Sequence, residues 1–142
     1  MSRGLVATAQ MVIDAPVEKV WAALVTPEQI KHYMFGTNVV SDWKPGSRII
    51  WKGEWQGKSY EDKGVILRLE PGRLLEYSHY SPLSGVPDAP ENYHNVTVSL
   101  AAEDGHTAVT LSQDNNADEA ERAESAKNWA MMLSGLKQFI ET

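Results

Sequence analysis

Between Thr37 and Gln113 the apolar residues of this chain follow a two-residue period, and the runs are cut at short intervals by turn pairs: Pro45-Gly46, Gly57-Lys58, Pro71-Gly72 and Asp104-Gly105. Strands joined by so few residues can only fold back antiparallel, because a parallel crossover needs a dozen residues or more. The expected strands are Asn38 to Trp43, Arg48 to Gln56, Ser59 to Glu70, Arg73 to Ser81, Asn92 to Ala102 and Thr107 to Gln113. Only the proline- and glycine-rich stretch Pro82 to Glu91 interrupts this six-stranded meander. It reads either as a gate over the sheet or as a stiff surface connection.

The ends of the chain read differently. Leu5 to Ile13 is a strand, and Asp14-Ala15-Pro16 leads from it into a helix, with Asp14 as the expected cap. In that helix Val17, Val20, Trp21, Leu24 and Val25 mark one buried face. Thr26-Pro27-Glu28-Gln29 restarts a helix as a capping box. Asp118 opens a final helix of about 24 residues in which Trp129, Met132, Leu133, Leu136 and Ile140 recur at steps of three and four. The 142 residues, 42% of them hydrophobic, suit one α+β domain with its own core.

Charge and residue usage narrow the function. With 19 acidic against 13 basic residues the net charge is −6, a poor surface for nucleic acid. The absence of cysteine excludes disulfides and thiolate chemistry and fits a cytoplasmic setting. No apolar window reaches the roughly 18 residues of a membrane span, and the acidic early turns of the last helix argue against membrane insertion. No histidine spacing defines a metal site, no serine sits in a nucleophile elbow, and no cofactor is expected.

Strand alternation leaves Ile49, Trp51, Gly53 and Trp55 on one face of their strand, with Lys52, Glu54 and Gln56 on the other. His94 shares a face with Val96, Val98 and Leu100, and Gln113 with Val109 and Leu111, so the inward face turns polar at one end.

The opening MVIDAPVEKVWAALVTPEQIKHY resembles that of START-related proteins. WKPGSRIIWKGEW, GVILRLEPGRLLEYSH and the closing NWAMMLSGLKQFIE are similar to the branch named after the activator of heat shock protein 90 ATPase. The resemblance spans nearly the whole chain. It implies a helix-grip fold: a curved antiparallel sheet, in the order β-α-α-β6-α, wrapped around the long C-terminal helix with a cavity between them. A single helix covers only part of a curved sheet, which independently favours a pocket.

The expected function is binding of a small hydrophobic molecule, with Trp51, Trp55, Tyr77, His79, His94, Gln113, Trp129 and Met132 as its site. Two alternatives stand beside it. One is a chaperone partner, although the chain begins at its first strand, without the additional N-terminal domain through which the eukaryotic activators chiefly engage the chaperone. The other is a cyclase- or hydrolase-like enzyme using His94, Tyr93, Glu54 or Asp62 as acid and base. The sequence leaves oligomeric state open.

Overall fold

The computed structural model describes residues 4–34, 36–55 and 57–142. In chain order the elements are β1 (Leu5–Ile13), α1 (Val17–Val25), α2 (Pro27–Tyr33), β2 (Asn38–Ser41), β3 (Arg48–Trp55), β4 (Lys58–Glu70), β5 (Leu74–His79), β6 (His94–Glu103), β7 (His106–Asn116) and α3 (Glu119–Glu141). The loop between β5 and β6 carries two short 3₁₀ turns, Pro82–Ser84 and Pro90–Asn92.

All seven strands form one antiparallel sheet in the order β1-β7-β6-β5-β4-β3-β2. The meander from β2 to β7 follows from its short turns. β1, first in the chain, pairs with β7, last of the strands, so the chain crosses the sheet through α1 and α2 to reach the opposite edge. α3 packs against β1 and β7 and touches both short helices. This is the helix-grip arrangement.

The core lies between α3 and the concave face. Ile13, Val20, Ile49, Ile66, Val96, Val109, Leu111, Leu133 and Leu136 are almost wholly sealed from solvent. Each such side chain contributes about 1.5–3 kcal/mol through burial. The sheet bends at an irregularity between Ile66 and Arg68, where β4 slips register against β5. Nearby, β5 runs so close to Gly64 that a Cβ there would overlap the carbonyl oxygen of Ser78.

α3 is tied down at both ends. Asp118 accepts a hydrogen bond from the Glu121 amide at 2.8 Å, the cap expected from sequence. At the other end Lys137 Nζ donates to the Val12 carbonyl at 2.9 Å, and Glu141 accepts from the Asp14 amide at 2.8 Å.

Two expected caps are absent. Asp14 does not cap α1: Pro16 occupies the cap position, while the Asp14 carboxylate faces His106 Nδ1 at 3.1 Å. Thr26 makes no side-chain cap either; it ends α1 and begins α2 at once, and its carbonyl takes the Gln29 and Ile30 amides. With proline at the first position of α2, backbone geometry alone sets the start of that helix.

Candidate functional site

At one end of the concave face the inward residues of β3, β4 and β5 are aromatic or polar rather than aliphatic. Trp51 on β3 stands directly across from Asp62 on β4. On β5, Tyr77 and His79 are two residues apart and so share a face. The Trp51 ring lies 5.1 Å from that of Tyr77 and 5.0 Å from that of His79, the latter edge-on at 67°. β4 lies between these strands.

These residues, with Trp129 of α3 and Met34 beyond α2, enclose a cavity of about 290 Å³. Trp51 and Tyr77 are buried, so its floor is an apolar aromatic surface. Burial also pushes the Tyr77 hydroxyl far above the usual tyrosine range, which keeps that group neutral.

The same lining also carries polar groups. Tyr60 lies over Gly53, its cross-strand partner, where any side chain would collide with the phenol. Its hydroxyl meets the buried Thr37 hydroxyl at 2.6 Å. His79 Nε2 lies 3.0 Å from Asp62 Oδ2; because a carboxylate can only accept, Nε2 donates. The other oxygen, Asp62 Oδ1, is buried and has no hydrogen-bond partner among the described residues. Glu54 and Ser81 complete the lining. Glu54, which alternation assigns to the outer face, stays exposed yet reaches the cavity from the strand's end.

Next to this cavity lies a second chamber of about 240 Å³, bordered by Gln113, Ser125, Asn128 and Met132. Met34 and Trp129 line both chambers and form the partition between them. The indole of Trp129 is held in place by donating to Gln113 Oε1 at 2.5 Å.

The sequence-derived residues thus divide. Trp51, Tyr77, His79 and Trp129 line the aromatic cavity, whereas Gln113 and Met132 line the neighbouring chamber. His94, the cross-strand partner of His79, borders a neighbouring depression beneath the proline-rich loop that shares His79 and Ser81 with the aromatic cavity, and its Nδ1 lies 2.9 Å from the Asp114 carbonyl oxygen. It is not brought to Glu54 or Asp62; Asp62 is paired with His79 instead. The side chain of Trp55 lies outside the described residues. Met34, Thr37 and Tyr60 were not foreseen as site residues. The two-residue alternation of β4 was the available signal, since it puts Tyr60 and Asp62 on the same face as buried Ile66.

The proline-rich loop is closely restrained. Lys63 pairs with Asp88, Tyr93 Oη donates to Asp88 Oδ1 at 2.7 Å, Tyr80 Oη donates to the Val86 carbonyl at 2.6 Å, and the two tyrosine rings stack at 5.3 Å. The hydrogen bond with Asp88 holds the Lys63 amine above its usual range and the Asp88 carboxyl below its own. A gating movement would have to break these contacts together. Among the described residues no group of three or more histidine or acidic side chains gathers to hold a metal ion, and no helix is long and apolar enough to cross a membrane.

Comparison with known proteins agrees with this architecture. The family model described as Activator of Hsp90 ATPase homolog 1-like protein matches residues 14–141. The solution structure of a protein from Cytophaga hutchinsonii is 59% identical, with 99% of this chain and 97% of that one aligned at a TM-score of 0.87. The crystal structure of CalU16 from Micromonospora echinospora is 28% identical, covering 92% of this chain and 73% of that one, at a TM-score of 0.71. The Aha1 dimer from Colwellia psychrerythraea shares the fold at 20% identity, with 96% of each chain aligned and a TM-score of 0.76. No curated protein matches the chain.

Proposed function

The chain belongs to the Activator of Hsp90 ATPase homolog 1-like family, and from that footing we propose that it binds a small, largely apolar molecule in the cavity between its sheet and α3. The observation that carries this reading is the unfilled space of about 290 Å³ against Trp51, Tyr77 and Trp129, in a part of the fold where a solid core would place aliphatic side chains. A void of that size costs contacts along its lining, and an apolar guest restores them. About 250 Å² of buried guest surface is worth about 6 kcal/mol gross at ~25 cal/mol per Å². Loss of the guest's motional freedom offsets part of that, so an unfunctionalised hydrocarbon binds no tighter than about 40 μM.

Two of the cavity's walls are tryptophans, which makes binding directly observable. Titration with a library of aromatic and aliphatic molecules is expected to quench or shift tryptophan emission, and native mass spectrometry of gently purified protein to retain a small molecule. Silence in both measurements overturns the reading.

A second reading, regulation of a chaperone, is supported by the description of the family itself. It requires co-purification with the chaperone or a change in its ATPase rate, and the absence of both disposes of it.

A further inference from the structure

The aromatic cavity does not end at its own wall. It meets the depression beneath the proline-rich loop at His79 and Ser81, which line both, and that depression adds about 400 Å³. His79 on β5 and His94 on β6 stand directly across from each other at this seam. Alternation puts His79 on the face of buried Tyr77, and His94 on the face of buried Val96 and Val98, so both rings rise from the concave side of the sheet.

Each ring has one nitrogen committed and one bare. His79 Nε2 donates to Asp62, and His94 Nδ1 donates to the Asp114 carbonyl oxygen, which can only accept. A neutral imidazole carries one N–H, so these bonds fix the tautomers and leave His79 Nδ1 and His94 Nε2 as acceptors. Neither has a partner among the described residues, and neither is sealed: the one buried side-chain nitrogen or oxygen without a partner there is Asp62 Oδ1. Water therefore reaches both nitrogens.

The rest of the depression is short of hydrogens to give. Asn115 donates from its amide nitrogen to the backbone carbonyls of both Glu91 and Tyr93, which leaves its oxygen as an acceptor. Glu91 and Glu121 add two exposed carboxylates, and no lysine or arginine lines the space among the described residues. An anionic head group meets repulsion there, and a bare hydrocarbon end strips water from acceptors without replacing it. A hydroxyl supplies the missing donor.

We propose that the guest is an amphipathic alcohol spanning both spaces, its apolar body against Trp51, Tyr77 and Trp129 and its terminal hydroxyl donating to His94 Nε2. The assignment rests on the cavity-binding reading and adds to it a second subsite and a chemical class. The strand register sets the span. The Trp51 and His79 rings are 5.0 Å apart, and the step between cross-strand neighbours adds about 5 Å more, so an arm of several carbons must join the body to the hydroxyl.

The test is a matched series on one naphthyl ring and one butyl arm: naphthylbutanol, its methyl ether and naphthylbutanoate, titrated against the intact chain by calorimetry at mildly alkaline pH. The ether keeps the oxygen and loses the hydrogen, so it isolates donation. The alcohol is expected to bind about fivefold tighter than the ether, the worth of one net hydrogen bond, and the butanoate most weakly of the three. His94→Phe, which keeps a flat ring and removes the acceptor, should erase the alcohol's advantage while leaving the ether within about threefold.

An ether or a butanoate that binds as tightly as the alcohol, or an alcohol advantage that survives His94→Phe, overturns the assignment while the cavity reading stands. Failure of all three probes where simple apolar molecules still bind does the same; failure of those molecules as well overturns both. The wild-type series decides the matter even if the His94 variant fails to fold.

Discussion

Single residues set the shape of this site, and two glycines do so by what they lack. Gly64→Ala is expected to lower stability by about 3 kcal/mol, since the added methyl meets backbone rather than a movable side chain; urea denaturation measures the loss. Gly53→Ala acts on function instead, displacing the Tyr60 ring and parting its hydroxyl from Thr37. It should weaken guest binding more than it lowers the unfolding midpoint. Neither role could be read from the sequence, where a glycine in a strand signals a close approach without naming what approaches. The aromatic residues were more legible: period two alone puts Trp51 on the face it shares with buried Ile49. The missing part was the polar wall. Asp62 becomes meaningful only when β4 is seen to set it across from Trp51 and beside His79, a relation between three strands that no local pattern encodes.

At the scale of elements, α3 is the piece on which the cavity depends. Its apolar stripe was evident from spacing, and Leu133 and Leu136 are fully buried as that spacing requires. Leu136→Ala should cost about 3 kcal/mol by opening a void between α3 and the sheet, again measurable in urea. The caps were less legible, because Asp14 and Thr26 satisfy sequence rules for helix starts while the structure uses Asp14 to hold the far end of the chain. That use has a pH signature. The Asp14 amide, and secondarily Lys137, hold the Glu141 carboxyl below its usual range. A group with a lowered folded-state pKa adds stability that is complete above its ordinary value and vanishes as pH falls through the folded one. The last turn of α3 should therefore stay docked on β1 at neutral pH and loosen on acidification. Amide exchange near Phe139 and Ile140 would report this, and Glu141→Gln should remove the dependence. The loop clamp behaves similarly: Asp88→Asn breaks the Lys63 pair and should make the segment from Pro82 to Glu91 more susceptible to limited proteolysis.

For the whole molecule, any guest that binds the folded chain alone must raise its unfolding free energy, by about 2.7 kcal/mol at a hundredfold excess over Kd. A thermal-shift screen of small apolar molecules would therefore read binding through stability in one experiment. The architecture as a whole was legible because turn chemistry forced the meander and the two ends declared their helices. The partner of β1 was not, since antiparallel neighbours beyond a hairpin are chosen by packing rather than by sequence adjacency. Its pairing with β7, from Leu5 opposite Asn116 to Ile13 opposite Thr107, bears on how the molecule comes into being. β1 ends at Ile13 and its partner β7 begins only at His106, so during synthesis the first strand emerges well before the strand it joins. The sheet can close at that edge only late, and the loop that must be closed is among the longest the chain offers. Folding is thus expected to be slow, with the β1 edge the segment most in need of protection while it waits.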